Sequence, residues 1–568
     1  MKKFNYSKQS IEVLQKGNIL WKNELPEDMI TRIIMSTAKI EIDYFNQDPA
    51  ALRHFLSSLE DYLITKKIVP STPILTNLWR VNGYPMSACI VPDIDFTHNK
   101  KNIKAIIDSL HLEGMGTGFN FSELQEPHKI IYFLNDIANE LQNSWKQNRP
   151  VGNMGIMNIY DKNIENFIDL KIEWINKKID WKFNFSINID NAFIDSLSNN
   201  KNIILTNGIS ISARKLFKKI CFSAYECGDP GIVRLDLMNK DNPLESISKY
   251  IATAPCGEVG LAPWETCQFS SINISECVKS SYNGKIEINY ELLKNITHLL
   301  VRFLDDMLEH SIKNYSQSRV REIAIMKRKI WIWVCWFADF LIKMNLPYES
   351  PEAIQKAEEI MSFINLESKK ASIELAKIRG AFPKIKNSKL INSLFYSERF
   401  WESNNNWQKI DSNIQKFWIR NSSTTALPPT WRSSIIFDTS QQIEPIFHLR
   451  DNNWEIRADL DKCLKNTYQW AYFNDVIEVI ANTWSCQWVD FLQKEIYKTS
   501  KEISSLGHIN MLLAFQKYTD EAISKTINLP NNSTLEEIMD IYNQAFEKKL
   551  KWITIYRDSS REFQPIKL

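Results

Sequence analysis

Short apolar runs alternate with longer helical patterns from residue 70 to residue 560 of this 568-residue chain. The strand candidates are GFNFS, FNFSINI, GIVRLDL, SSINIS, SSIIF and WITIYRD. The helical patterns between them include YELLKNITHLLVRFLDDMLEHSI and PEAIQKAEEIMSFINLESKKASIELAKI. Because strands that alternate with helices form largely parallel sheets, this order predicts an α/β fold, either a barrel or an open sheet. No Pro- or Gly-rich linker divides this region, so we treat 66–568 as one domain that follows a helical region at 1–65.

The charge balance gives no indication of a nucleic-acid or membrane partner. The formal net charge is +2, and the N-terminal MKKFNYSKQSIEV lacks the apolar core of a signal peptide. Nine cysteines are scattered without a dense framework, which favours a reducing cytoplasm. The longest apolar run, IWIWVCWFADFLI, is interrupted by Asp339 and is too short to span a bilayer, so we predict that it is buried.

A thiol and a carboxylate stand two residues apart, at Cys256 and Glu258, in ATAPCGEVGLAPWETCQFSSINI. A carboxylate raises the pKa of a nearby thiol, so the pair is poorly suited to ionic nucleophilic catalysis. It suits a mechanism in which Cys256 carries a hydrogen atom and Glu258 moves a proton, with both facing one substrate from an extended segment. Cys267 lies too far along for a CxxC redox pair, and no histidine stands near enough for a zinc site. The alternative is that Cys256 is a small buried packing residue.

A second candidate segment is rich in hydroxyl side chains: RNSSTTALPPTWRSSIIFDTSQQIEPIF, from Arg420 to Phe447. Serine and threonine clustered around a turn can donate hydrogen bonds to phosphate oxygens, particularly where backbone N–H groups are available. The alternative is an ordinary capped turn.

Motifs along the chain, taken in order, identify a family. They are STPILTN, SACIV, GMGTGFNFS, GDPGIVRLDLMNKDNP, APCGE with ETC and SSINI, RKIWIWVCWFADFL, PPTWRSSIIFDTSQQIEPIF, HINMLLAFQKYTDEAISKTINLP and WITIYRDSSR. Together, from about residue 60 to residue 561, they strongly resemble ribonucleotide reductases of the adenosylcobalamin-dependent class II. The resemblance implies a ten-stranded α/β barrel, built from two five-stranded parallel halves, with a finger loop inside it.

The resemblance also implies roles for four residues. Cys256 matches the position of the thiyl radical that abstracts the ribose 3′ hydrogen, and Glu258 matches the carboxylate that takes the 3′-hydroxyl proton. Cys89 and Cys267 match the two thiols that reduce the 2′ carbon and end as a disulfide. The other cysteines match no role and are expected to be packing thiols: Cys221, Cys227, Cys277, Cys335, Cys463 and Cys486.

The substrate site and the cofactor follow from the same resemblance. The expected substrate-binding positions are Thr72, Ala88, Gly116, Ala254, Thr430, Ser433 and Ser434, and no metal ligands are expected. The iron-dependent class carries adjacent tyrosines near its C-terminus, whereas ITIYRD offers only Tyr556. The anaerobic class needs a C-terminal glycyl radical loop, which we do not find in the sequence. Adenosylcobalamin is therefore the expected radical source.

The expected partners are a ribonucleotide substrate, taken as a diphosphate, a thioredoxin-like dithiol reductant, deoxynucleotide effectors and a second copy of the chain. Several differences between this sequence and the family affect these expected partners. Ala254 replaces the family's asparagine, the effector segments near 125–132 and 143–157 are altered, and no ATP-cone domain precedes STPILTN. The chain ends at EFQPIKL without the family's cysteine pair, so we expect either that a separate polypeptide supplies the pair or that an external dithiol reaches Cys89 and Cys267 directly. The alternatives are a degenerate nucleotide-binding paralogue and an iron-dependent class I large subunit.

Glycine is scarce and tryptophan abundant, with 15 Gly and 18 Trp, although about 7% glycine is ordinary. Tryptophan stands where the family has glycine at Trp79, Trp145, Trp331, Trp333, Trp336, Trp431 and Trp552. An indole does not fit a site that needs positive φ or close backbone approach. We therefore hypothesise that UGA encodes glycine in the source organism and is read here as tryptophan, while Trp264 stands at an aromatic position of the family. If the tryptophans are genuine, a damaged or non-catalytic paralogue is expected.

Overall fold

The structure is a computed structural model. It describes residues 6–78, 83–143, 151–177, 180–281, 284–400, 404–437, 440–450, 455–467, 470–483, 485–489 and 493–560. Among the described residues, no helix is long and apolar enough to cross a membrane.

The described residues form an α/β fold, as predicted. The helices are α1 (Lys8–Lys16), α2 (Pro26–Phe45), α3 (Pro49–Ile64), α4 (Thr72–Asn77), α5 (Lys100–Leu112), α6 (Pro127–Asn143), α7 (Ile164–Lys177), α8 (Asn191–Ser198), α9 (Ala213–Cys227), α10 (Leu235–Asp241), α11 (Tyr290–Asn314), α12 (Ser318–Lys327), α13 (Phe337–Met344), α14 (Pro351–Arg379), α15 (Phe395–Arg399), α16 (Asn404–Phe417), α17 (Trp431–Phe437), α18 (Ala458–Thr467), α19 (Trp470–Thr483), α20 (Ser505–Gln516) and α21 (Leu535–Glu547). The strands are β1 (Ile68–Pro70), β2 (Cys89–Ile90), β3 (Gly116–Asn120), β4 (Asn153–Asn158), β5 (Phe183–Asn188), β6 (Asn202–Ile204), β7 (Ser210–Ser212), β8 (Gly231–Val233), β9 (Ala252–Thr253), β10 (Gly260–Leu261), β11 (Thr266–Cys267), β12 (Phe269–Asn273), β13 (Val278–Ser280), β14 (Ile286–Ile288), β15 (Trp331–Cys335), β16 (Thr526–Leu529) and β17 (Trp552–Arg557).

The largest sheet has eight strands in the order β11-β2-β3-β4-β5-β8-β17-β16. The run from β2 to β8 is parallel, as expected for strands joined by helical crossovers. β11 and β17 flank this run antiparallel to β2 and β8, and β16 is parallel to β17. A second sheet has the order β1-β12-β15, with β12 and β15 parallel.

The two faces of the large sheet have different surroundings. On one face, Phe183 and Phe185 of β5 pack with residues of α6, α7 and α9 in an apolar cluster. Because successive side chains of a strand alternate, Asn184 and Ser186 project from the opposite face. That face carries Met154 of β4, which belongs to a separate interior cluster. The sequence therefore produces a helix-covered face and an interior face that is available for a site.

The N-terminal helices pack onto the rest of the chain. Arg302 of α11 and Arg379 of α14 both donate to the buried Glu41 of α2, at 2.5 and 2.7 Å. The Ser10 hydroxyl of α1 donates to the Ile435 carbonyl of α17 at 3.0 Å. These contacts join the helices at 8–64 to the main apolar cluster.

Most strand predictions are confirmed, and one is wrong. The candidates FNFSINI, GIVRLDL and WITIYRD contain β5, β8 and β17, and GFNFS and SSINIS overlap β3 and β12. SSIIF instead forms most of the helix α17, because Pro428, Pro429 and Thr430 precede it as a helix start and the Ser434 N–H donates to the Thr430 carbonyl at 2.8 Å. The run IWIWVCWFADFLI is buried, as predicted, in β15 and the start of α13.

Candidate active site

Cys89 and Cys267 lie opposite each other on neighbouring strands. β11 runs antiparallel to β2 with Cys267 in register with Cys89, and the Ala88 N–H donates to the Cys267 carbonyl at 2.8 Å. Residues opposite each other in an antiparallel pair have Cα atoms about 4.5–5.5 Å apart, within the range that a disulfide spans. Both side chains are buried, and neither is in a disulfide. The two thiols that the resemblance groups together are therefore neighbours.

A hairpin of residues 252–261, the finger hairpin, carries Cys256 and Glu258 at its tip. β9 and β10 pair antiparallel, and the Ala254 N–H donates to the Val259 carbonyl at 3.0 Å. Gly257 has a φ of +78°, a left-handed conformation that glycine adopts without strain. The expectation that the thiol and the carboxylate alternate along an extended segment is therefore wrong, since they flank a left-handed residue in a turn.

The turn places the two functional groups at different depths. Cys256 is half-buried and forms part of a cavity wall. Glu258 is buried at 3% exposure, and the Ala522 N–H donates to its backbone carbonyl at 2.9 Å. The thiol can thus meet a ligand in the cavity directly, whereas the buried Glu258 is not among the residues that line the cavity.

Two glycines of β3 allow the finger hairpin to approach the sheet. A Cβ atom on Gly118 would overlap the Thr253 carbonyl oxygen, and a Cβ atom on Gly116 would lie 2.9 Å from the Pro255 ring. Gly116 is also the register partner of Cys89. The hairpin tip therefore lies against the strand beside the two buried thiols.

The finger hairpin borders a cavity of 320 Å³. Side chains of β5, β16 and β17 and of the segment 429–447 complete the wall. Its polar members include Asn184, Ser186, Gln441, Glu444, Asn528 and Tyr556. Cavities that bind small molecules have about 300–1,000 Å³ and combine an apolar lining with a few convergent polar groups. This cavity is therefore the candidate substrate site.

The hydroxyl-rich turn adjoins the cavity. Thr430, Ser433 and Ser434 are all buried at the start of α17. The Thr430 hydroxyl accepts the Gln442 N–H at 2.9 Å, and both Gln442 and Pro429 line the cavity. The structure thus brings Thr430 to the edge of the cavity, and Ser433 and Ser434 follow it in the first turn of α17.

The remaining predicted substrate positions divide into two groups. Ala88 and Ala254 lie with the two buried thiols in the interior cluster, and Gly116 contacts the hairpin tip. Thr72 begins α4, is buried, and is not part of the cavity wall. The structure therefore does not bring Thr72 to this cavity. Of the altered effector segments, residues 144–150 lie outside the described residues.

Sequence reasoning missed a buried ion pair beside the cavity, of which Glu444 lines the wall. The Lys525 ammonium contacts the Glu444 carboxylate, and the Thr526 N–H donates to the same carboxylate at 3.1 Å. Burial lowers the pKa of Lys525, and the negative charge of Glu444 opposes that shift. Both residues lie in motifs that resemble the family, but nothing in their separation along the chain indicates that they are in contact.

A second buried network supports the turn before Cys267. Glu265 binds Lys327 and Lys329 at 2.6 and 3.0 Å, and Lys329 also binds Glu521 at 3.1 Å. Burial lowers the pKa of Lys327 to about 8 despite its carboxylate partner. The Glu265 carboxylate also accepts the Ala262 N–H at 2.8 Å, which holds the chain between β10 and β11. The sequence singled out neither lysine.

Of the six cysteines expected to be packing thiols, five are buried and Cys463 is half-buried. Burial raises the pKa of Cys277 and Cys486 to about 12, and it also raises those of Cys221 and Cys335. Within the described ranges, no group of three His, Cys, Asp or Glu side chains is arranged to hold a metal ion.

The family of the chain follows from comparison with known proteins. A family model described as "Ribonucleotide reductase, barrel domain" matches residues 87–556. The chain therefore belongs to the ribonucleotide reductase family.

Particular relatives and a solved structure agree with this assignment. The chain is similar to the vitamin B12-dependent ribonucleoside-diphosphate reductase of Thermoplasma acidophilum, with 32% identity over 94% of this chain and 69% of the relative. It is 27% identical to the protein of the same name from Mycobacterium tuberculosis strain H37Rv, over 94% of this chain and 75% of the relative. The fold is similar to that of an Actinobacillus ureae class Id ribonucleotide reductase alpha subunit, with a TM-score of 0.77, 19% identity and 97% of each chain covered.

Proposed function

We propose that this chain reduces ribonucleoside diphosphates to deoxyribonucleoside diphosphates by thiyl-radical chemistry, with adenosylcobalamin as the radical source. One observation carries the proposal: Cys256 faces a cavity from a finger hairpin whose tip lies beside Cys89, opposite Cys267. The names of two relatives, both vitamin B12-dependent ribonucleoside-diphosphate reductases, support the substrate class and the cofactor.

The proposed roles balance in atoms and electrons. The Cys256 sulfur radical takes the ribose 3′ hydrogen, forming an S–H bond, while Glu258 takes the 3′-hydroxyl proton. The 2′ hydroxyl leaves as water with a proton from a thiol, and Cys89 and Cys267 give up two electrons and two protons in all to become a disulfide. Cys256 then returns its hydrogen to the 3′ carbon, and Glu258 returns its proton to the 3′ oxygen. The sum is ribonucleotide plus dithiol giving deoxyribonucleotide, disulfide and water.

The residues around Cys256 fit a radical carrier. When bound, adenosylcobalamin supplies the one-electron chemistry that turns the Cys256 thiol into a radical. The interior cluster beside the hairpin tip is formed largely by small apolar side chains, including Ala252, Ala254 and Val259. These side chains pack behind the hairpin tip, and the backbone turn holds the sulfur at the cavity wall, where a bound substrate would cover it.

The strand pairings support a closed barrel of ten strands. β2, β3, β4, β5 and β8 form one parallel run. β12 is parallel to β15, and parallel bridges join Ile332 to Thr425 and Leu427 to Ile523, next to the parallel pair of β16 and β17. We assign these as the second run, antiparallel to the first at β17 and β8. On this assignment the barrel spans 66–568 after a helical region at 1–65.

The partners follow from the chemistry. The Cys89–Cys267 pair is almost fully buried. A thioredoxin-like dithiol reductant therefore reduces the pair either by entering the substrate cavity or through a second, mobile dithiol that carries the electrons between them. A reducing cytoplasm suits this cycle. Deoxynucleotide effectors and a second copy of the chain complete the proposed set.

The test is turnover of CDP by the purified chain with adenosylcobalamin and dithiothreitol. We expect dCDP together with a cob(II)alamin signal in electron paramagnetic resonance. Cys256→Ala is expected to abolish turnover and retain CDP binding, whereas Cys463→Ala, which removes another half-buried thiol, retains both. Turnover by Cys256→Ala would refute the radical assignment. Product that needs a separate iron protein and no cobalamin would favour the class I alternative, and CDP binding without any product would favour the non-catalytic one.

A further inference from the structure

We propose that residues 331, 333, 336, 418 and 552 are glycine in the native protein, because its UGA codons are read as glycine. We further propose that glycines at 331 and 552 open the interior beside Cys256. The second statement rests on the proposed function, whereas the first does not. Position 418 comes from the backbone alone, since the sequence comparison with the family did not single it out.

The backbone at two tryptophans has a conformation that favours glycine. Trp336 has a φ of +63° between β15 and α13, and Trp418 has a φ of +66° immediately after α16. A left-handed residue just past a helix end is usually glycine, because a Cβ atom there clashes with the backbone. In the part of the chain that the structure describes, 14 non-glycine residues have positive φ, of which five are asparagine and three are tryptophan. Asparagine is expected in that set, whereas a bulky side chain is an outlier.

Three indoles are crowded into one buried segment. Trp331, Trp333 and Trp336 are at most 1% exposed and are among the largest fully buried side chains. The Trp333 ring lies 4.3 Å from the ring of Phe269 on the neighbouring strand. Among the described residues, none of the three indole N–H groups has an acceptor. A buried donor without a partner is unfavourable, and glycine at these positions removes all three donors.

Trp552 occupies space directly beside the finger hairpin. A Cβ atom on Gly257 would overlap the Trp552 ring. The indole is therefore in close contact with Gly257, the residue between Cys256 and Glu258. Its N–H lies 3.5 Å from the Ser186 hydroxyl, and the ring lines the cavity. Trp331 lies in the same interior cluster as the thiol pair. Glycine at 552 therefore removes a ring from the wall of the 320 Å³ cavity, and glycine at 331 removes a ring from the interior cluster beside it.

Other tryptophans stand where an aromatic ring is expected, and they provide internal controls. Trp407 lies inside the helix α16, with its ring 4.5 Å from Phe400 and 5.8 Å from Tyr396. Trp264 has a φ of +62°, but the family resemblance places an aromatic residue there. We therefore expect UGG codons at 264 and 407.

The codons and the native protein decide the first statement. We expect UGA at 331, 333, 336, 418 and 552, and peptide masses from the protein of the source organism that match glycine at these positions. UGG at 336 and 418 would overturn the proposal. UGA codons with peptide masses that match tryptophan would also overturn it, because UGA would then be read as tryptophan. Neither measurement depends on reductase activity.

CDP binding tests the second statement. We compare the tryptophan-containing chain with the double variant Trp331→Gly/Trp552→Gly, with Trp333→Gly/Trp336→Gly as the matched control outside the interior cluster. Relief of overcrowding at the cavity is expected to tighten CDP binding roughly tenfold or more in the first variant only. Equal binding by the first variant and the parent would refute the opened cavity, even if the codons are UGA. Thermal unfolding of each variant is measured alongside, and a lost folding transition in the first variant counts against the proposal.

Discussion

Trp418 offers a measurement of backbone conformation that is separate from side-chain packing. Replacing it with glycine and, separately, with alanine removes the same indole, so the difference between the two variants reports the backbone alone. In a left-handed conformation, a residue with a Cβ atom loses about 1–2 kcal/mol relative to glycine. Glycine also loses more conformational freedom than alanine on folding, and this loss offsets about 0.5–1 kcal/mol of its advantage. With φ at +66°, Trp418→Gly is therefore expected to be more stable than Trp418→Ala by about 1 kcal/mol.

Trp407 is the matched control, since it lies inside α16, the helix that Trp418 follows, and has an ordinary helical backbone. There the order reverses: Trp407→Ala is expected to be more stable than Trp407→Gly by about 1 kcal/mol, the helix-interior difference between the two residues. Both variants at 407 lose a buried ring and fall well below the parent chain. The assay is urea unfolding of all four variants, compared by midpoint. Alanine more stable than glycine at both positions would refute the left-handed assignment at 418.

Three further predictions concern the site and its surroundings. Glu258→Gln is expected to lower kcat for CDP reduction roughly 10²–10⁴-fold with little change in KM, since it removes only the proton acceptor; a change confined to KM would contradict that role. Lys525→Met leaves the buried Glu444 without its cation and is expected to cost about 3–5 kcal/mol in urea unfolding, whereas Lys16→Ala at an exposed ion pair costs at most about 1 kcal/mol. Burial lowers the pKa of His111 to about 4, so the unfolded chain binds its proton first as the pH falls below about 6.5. His111 therefore lowers the free energy of unfolding as the pH falls from about 6.5 to 4. His111→Gln is expected to flatten the dependence of this free energy on pH in that window. An unchanged slope would contradict the burial of a neutral imidazole.

The strands that sequence predicted correctly are those with strong alternation or complete burial. In FNFSINI, phenylalanines alternate with polar residues, and β5 has one face against helices and one toward the cavity. SSIIF has the same apolar content but forms a helix, since a preceding Pro-Pro-Thr sequence starts α17. Composition alone could not separate these outcomes, because short apolar runs suit either a strand or a buried helix face.

Long-range pairings could not be read from the sequence. Nothing in the spacing of Cys89 and Cys267 shows that they lie opposite each other, because that depends on the antiparallel register of β11 with β2. The family resemblance supplied the pair, and the register now gives a physical reason for it. Lys525 and Glu444 had no comparable signal, since a buried ion pair leaves no local pattern.

The structure of the finger hairpin shows what changes when Ala254 stands in place of the family's asparagine. The turn is closed by backbone hydrogen bonds of Ala254 to Val259 and of Gly257 to Ala254, so no side chain at 254 is needed to hold its shape. The Asn184 amide, on the cavity wall, donates to the carbonyl of Pro255 at 3.1 Å and anchors the tip from the sheet. Replacing the family's asparagine with alanine therefore removes one hydrogen-bonding group that could reach the substrate, but it leaves the position of the thiol intact. Weaker substrate binding, with the radical chemistry preserved, is the expected consequence of this change.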